Sequence, residues 1–136
     1  MASDPASAKI ASRPLSPHLQ IWRWTPTMAA SITHRATGVA LYSGTILLSI
    51  WLCAVAGGEA LYAPVAAFLG SPLGVFVLFA YTWALMFHAC NGLRHLYWDT
   101  GRGFNVKTAQ MTAWLVFAAS LFLAILIVAA GVSARS

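Results

Sequence analysis

Three stretches of the chain run without Asp, Glu, Lys or Arg for the length of a bilayer crossing. They are ATGVALYSGTILLSIWLCAVA at residues 36–56, the part of SPLGVFVLFAYTWALMFHACNGL from about 72 to 93, and QMTAWLVFAASLFLAILIVAAGV at 110–132. A membrane-spanning helix takes about 20 residues. Backbone polar groups in lipid must pair within their own segment, so each stretch predicts a helix. The pattern predicts an all-α membrane protein with three transmembrane helices. Gly, Ser and Thr recur in all three spans, and small residues let neighbouring helices approach closely.

The intervening stretches are short. LYAPVAAFLG, between the first two spans, predicts a short interfacial helix on the outer side. The leading SRPLSPHLQIWRWTPTM carries Pro14, Pro17 and Pro26, which argue against a long helix there. Trp22 and Trp24 suit the headgroup zone. The expected division is a surface segment over residues 1–30 and a transmembrane domain over 31–136.

Composition agrees with the pattern. The chain is 60% hydrophobic and 8% charged, whereas soluble domains carry about 25% charged residues. The net charge of +5 does not point to nucleic acid, because the basic residues lie at segment ends. Lys9, Arg13, Arg23 and Arg35 precede the first span, and Arg94, Arg102 and Lys107 lie between the second and third. The loop at 57–71 has no basic residue and holds Glu59, and Arg135 follows the third span. The positive-inside rule then predicts a cytoplasmic N-terminus and an outer C-terminus. Residues 1–12 lack the apolar core of a signal peptide. A bacterial inner membrane is the expected location, or the mitochondrial inner membrane for a processed organellar chain. Cys53 and Cys90 lie in apolar runs without metal-ligand spacing and read as packing residues.

The chemistry concentrates in HACNGLRH, His88 to His95, at the end of the second span. His88 lies roughly 7–8 Å inside the boundary at residue 93. His88, Gly92 and His95 share a helical face at i, i+4 and i+7. Gly92 leaves a bare patch between the imidazoles, against which a flat macrocycle could lie with His88 on its iron. Imidazole is a common axial ligand of haem. An interhelical hydrogen bond or a proton relay are the competing roles. Ser31 and Arg35 stand one turn apart on the first helix, with Gly38 continuing that face. Arg35 is a permanent cation suited to a carboxylate or polarised carbonyl, unless it only snorkels to the interface. Ser31 adds a neutral hydroxyl. Asp99 could pair with Arg94 or Arg102, and His18 has no assigned role. No second histidine lies within a span at the depth of His88, so a bis-imidazole haem would need a ligand from a second membrane subunit.

RPLSPHLQIW, SITHRATGVAL and HACNGLRHLYWDTG, across residues 13–103, closely resemble the cytochrome b subunit of succinate dehydrogenase, the larger membrane anchor of respiratory complex II. The resemblance implies a succinate:ubiquinone oxidoreductase serving the tricarboxylic acid cycle and the respiratory chain. Its expected partners are a flavoprotein subunit, an iron–sulfur subunit and a smaller three-helix anchor. It implies that His88, in HxxxGxRH, is the axial ligand of haem b, with the second ligand from the smaller anchor. It implies that Ser31 and Arg35, in SxxHR, bind ubiquinone, with Ile32 against the ring. His34, Arg35 and His95 would surround the haem propionates. Arg35 would stabilise negative charge developing on the quinone during reduction. This chain shows no flavin fingerprint and no cysteine array, so succinate oxidation would belong to other subunits. The alternatives are an anchor of a quinol:fumarate reductase, or a three-helix transporter or assembly protein without haem.

Overall fold

The computed structural model describes residues 16–19 and 21–134. The features assigned to Lys9, Arg13, Pro14 and Arg135 lie outside the described residues. After a single 3-10 turn at Pro17–Leu19, four helices follow: α1, Pro26–Ala56; α2, Glu59–Gly70; α3, Pro72–Asp99; and α4, Val106–Ser133. Among the described residues there is no strand. α1, α3 and α4 are long and apolar enough to cross a membrane, and α2 is the short helix expected between the first two spans.

α1 starts ten residues before the apolar run that announced it. Thr25, in an extended conformation, caps it by accepting from the Met28 amide at 3.3 Å, and Pro26 occupies the first turn. Proline needs no amide partner there, so it opens the helix instead of preventing it. The 31 residues of α1 extend roughly 46 Å at 1.5 Å per residue. A hydrocarbon core is about 30 Å thick, so the helix exceeds the span that hydropathy reveals. Ser71 joins α2 to α3 with one hydroxyl, which donates to the Phe68 carbonyl at 2.6 Å and accepts from the Gly74 amide at 3.1 Å. Asn105 caps α4 by accepting from the Lys107 amide at 3.0 Å.

α3 is the central helix, antiparallel to both α1 and α4. Ascending positions on α1 meet descending ones on α3: Gly38 lies against His88, and Ser43 bonds Tyr81 at 3.1 Å. Glycine permits this approach, since a Cβ at Gly44 would come 2.8 Å from the Tyr81 ring. A small core of Ala30, Phe87, Ala113 and Val116 gathers where α1 begins and α3 ends, flanked by Trp83, Cys90 and Phe117. Cys53, by contrast, is exposed on α1. Only 6% of the most apolar window of α1, and 17% of those of α3 and α4, is buried within the chain. Most of the apolar surface is therefore left for lipid or other subunits.

Arg94 is not a surface charge paired with Asp99. It is 6% exposed and clamps α3 to α4. Its Nε donates to Thr112 Oγ1 at 3.0 Å, one Nη to the Ala109 carbonyl at 2.9 Å, and the other to Asn91 Oδ1 at 3.4 Å. The guanidinium also lies 4.0 Å over the Trp98 ring. An apolar site penalises a bare charge, and these contacts offset that penalty. We expect Arg94→Lys to lower stability by about 2–3 kcal/mol, because an ammonium cannot reproduce the forked bonds. The thermal inactivation midpoint of the purified complex tests this, and an unchanged midpoint would show that the clamp is dispensable.

Candidate functional site

The first turns of α1 and the last turns of α3 bring three imidazoles together. The rings of His34 and His88 stack with centroids 3.9 Å apart and an interplanar angle of 17°. His95 lies 5.5 Å from His34, tilted by 41°, and meets the Trp98 ring edge-on at 5.2 Å. His34, from the other helix, thus bridges two histidines that stand two turns apart on α3.

Three residues of α1 enclose the His88 ring. His34 covers one face. Gly38 allows close approach, because a Cβ there would come 3.3 Å from His88 Cε1. Thr37, 4% exposed, places Oγ1 3.3 Å from His88 Nδ1 and donates its proton to the His34 carbonyl at 2.9 Å. The expected competitor to a ligand role, an interhelical hydrogen bond, is therefore present, but it engages only Nδ1. Nε2 makes no hydrogen bond with a described residue and is not among the buried unpartnered atoms. His34 Nδ1, by contrast, is buried without a hydrogen-bond partner. Buried polar groups are rarely left unsatisfied, so this atom needs an explanation.

The bare patch foreseen at Gly92 is open: no heavy atom outside its own helix environment lies within 4 Å of where its Cβ would be. No group of three or more His, Cys, Asp or Glu among the described residues is arranged to hold a metal ion. With one accessible imidazole nitrogen, an orphaned imidazole nitrogen and an open glycine face, the residues fit the edge of a haem.

The proposed quinone residues lie on the same end of α1. Ser31 is half-buried, whereas Ile32 and Arg35 are exposed. Neither the Ser31 nor the Arg35 side chain makes a hydrogen bond or ion pair with a described residue. Their polar groups are available for a ligand or a partner chain. His18 is exposed and stays outside the cluster. The apolar groove between α3 and α4, lined by Trp83, Trp114, Phe117, Ala118 and Leu121, holds no ionisable group.

Sequence reasoning missed Thr37 and Asn91. Thr37 follows His34 by three positions on α1, a spacing that shares a face, but only the packing on α3 reveals its partner. Asn91 is fully buried and its Nδ2 is unpartnered, while its Oδ1 serves Arg94.

Comparison with known proteins identifies the family of the chain. The sequence matches the family described as succinate dehydrogenase/fumarate reductase transmembrane subunit over residues 9–127. It is 38% identical over 115 residues to the succinate dehydrogenase cytochrome b556 subunit of Paracoccus denitrificans, covering 85% of this chain and 88% of that one. The cytochrome b556 subunit of Rickettsia felis is 37% identical over 115 residues, at 85% and 90% coverage. The human mitochondrial cytochrome b560 subunit is 37% identical over 107 residues, at 77% and 63% coverage. A family match over most of the chain, with such relatives across nearly their whole bacterial length, shows that this three-span chain belongs to the succinate dehydrogenase/fumarate reductase transmembrane subunits.

Proposed function

We propose that this chain is the larger membrane anchor of a succinate:ubiquinone oxidoreductase, where it binds haem b and forms part of the ubiquinone-reduction site. The observation that carries this reading is the convergence of His34, His88 and His95 at one end of the bundle. The similarity to cytochrome b subunits of succinate dehydrogenase supports the haem and the succinate direction over fumarate reduction. A transporter or assembly protein without haem gains no support from them.

His88 would hold the haem iron through Nε2. The second axial imidazole would come from the smaller anchor, whose three helices would cover apolar surface that this chain leaves exposed. His34, Arg35 and His95 would face the propionates, and a carboxylate there would give His34 Nδ1 its missing partner. When bound, the haem would accept and return single electrons beside the quinone site.

Ser31 would donate its hydroxyl to a quinone oxygen, and Ile32 would lie against the ring. Arg35, a permanent cation, would favour negative charge developing on the quinone. Its effect on rate comes from an attraction that grows as the ring is reduced, more than from binding the neutral ring. The iron–sulfur and flavoprotein subunits would sit over the same end of the bundle, on the cytoplasmic side of the inner membrane, or the matrix side in an organelle. The basic residues Arg23, Arg35, Arg102 and Lys107 occupy this end, and Glu59 the other. That distribution fits the positive-inside orientation.

Two mutants test the assignment. His88→Ala should abolish the bis-imidazole bands of the dithionite-reduced complex, and a retained wild-type spectrum would contradict the ligand role. Arg35→Ala should lower succinate:ubiquinone reductase activity by about 100-fold, the range seen when one charge-stabilising donor is lost. Succinate oxidation with an artificial dye should change little. An equal loss in both assays would point to failed assembly.

A further inference from the structure

We propose that Thr37 is a positioning residue that sets the tautomer and the ring orientation of His88. This rests on the reading of His88 as a haem ligand. A hydroxyl has one proton to donate, and Thr37 gives its proton to the His34 carbonyl at 2.9 Å. Towards His88 Nδ1, 3.3 Å away, Thr37 Oγ1 can therefore only accept. The proton of the neutral imidazole must then reside on Nδ1, which leaves the lone pair on Nε2. That is the nitrogen without a described partner, and the one that iron would take.

The arrangement leaves little freedom. Thr37 is 4% exposed, which limits competing water. Its carbonyl bond, one turn back on its own helix, fixes the hydroxyl rotor. The stacked His34 ring at 3.9 Å and the close pass of Gly38 stop His88 from rotating away from Oγ1. A carbonyl–hydroxyl–imidazole chain results, in which each bond polarises the next. Partners that accept from the distal N–H of a ligating histidine orient it and raise its basicity. A more basic imidazole favours oxidised iron, so Thr37 should hold the haem potential down.

The test uses the intact four-subunit complex with Thr37→Val, Thr37→Ala and Thr37→Ser. The readouts are haem per complex, the electron paramagnetic resonance g values of the oxidised haem, and its midpoint potential. We expect Val and Ala to raise the potential, shift the largest g value and weaken haem retention by about 10- to 100-fold. Ser, which keeps the hydroxyl, should stay near wild type. Should the Val complex fail to assemble, the Ala and Ser pair decides, since neither is larger than Thr. Wild-type potential and g values in the Ala complex, or equal changes in Ala and Ser, would overturn the role of Thr37. If His88→Ala still abolishes the haem bands, the ligand assignment survives that result. A His88→Ala complex with an unchanged haem spectrum would overturn the ligand assignment and the role of Thr37 together.

Discussion

The site depends on how closely α1 and α3 can approach in lipid. Water cannot drive apolar faces together inside a bilayer, so helices associate through close backbone packing and a few polar contacts. Both occur on the α1–α3 seam. Gly38 and Gly44 remove the side chains that would hold the helices apart, and Ser43–Tyr81 and Thr37–His88 place hydrogen bonds along the resulting contact. The Thr37–His88 bond that helps join the helices also engages Nδ1 of the imidazole.

The third helix is held differently. α4 presents no histidine or acid, and its strongest polar tie is the Arg94 guanidinium that reaches it from α3. A buried cation costs free energy in an apolar setting unless its donors are satisfied. Three hydrogen bonds and an aromatic face accomplish that here without a described counter-anion. Arg94 adjoins His95 in sequence but faces α4, whereas the His88–His95 face turns towards α1. One helix thus separates, by phase, the cation that ties it to α4 from the imidazoles that meet α1.

The three spans were legible because charge is absent from them, and absence of charge over about 20 residues has few other causes in a chain this apolar. Their ends were less legible. Hydropathy reports the hydrocarbon-facing part of a helix, whereas capping by Thr25 and the fixed backbone of Pro26 carry α1 well before it. Pro26 misled because proline forbids a helix interior but suits a first turn. The His88–Gly92–His95 face followed from periodicity within one helix. Thr37 did not, because its meaning depends on the register between two helices, which no single-helix pattern encodes. Arg94 was misjudged for a related reason: a cation at a helix end normally escapes to the interface, unless a neighbouring helix supplies carbonyls and hydroxyls within reach.

The polar groups are also asymmetric along the bundle, and this constrains what such a chain can do alone. The end at the start of α1 collects the imidazoles, Ser31, Arg35 and the Arg94 clamp, while the other end is closed by α2 and the single hydroxyl of Ser71. Among the described residues no chain of histidines, acids or cations runs from one end to the other, and the deeper polar pairs, such as Ser43–Tyr81, join hydroxyls. A transporter or proton pump needs polar stations across the membrane. Here the imidazoles, Arg35 and Arg94 gather at one end of the bundle, so the described residues supply no such series of stations.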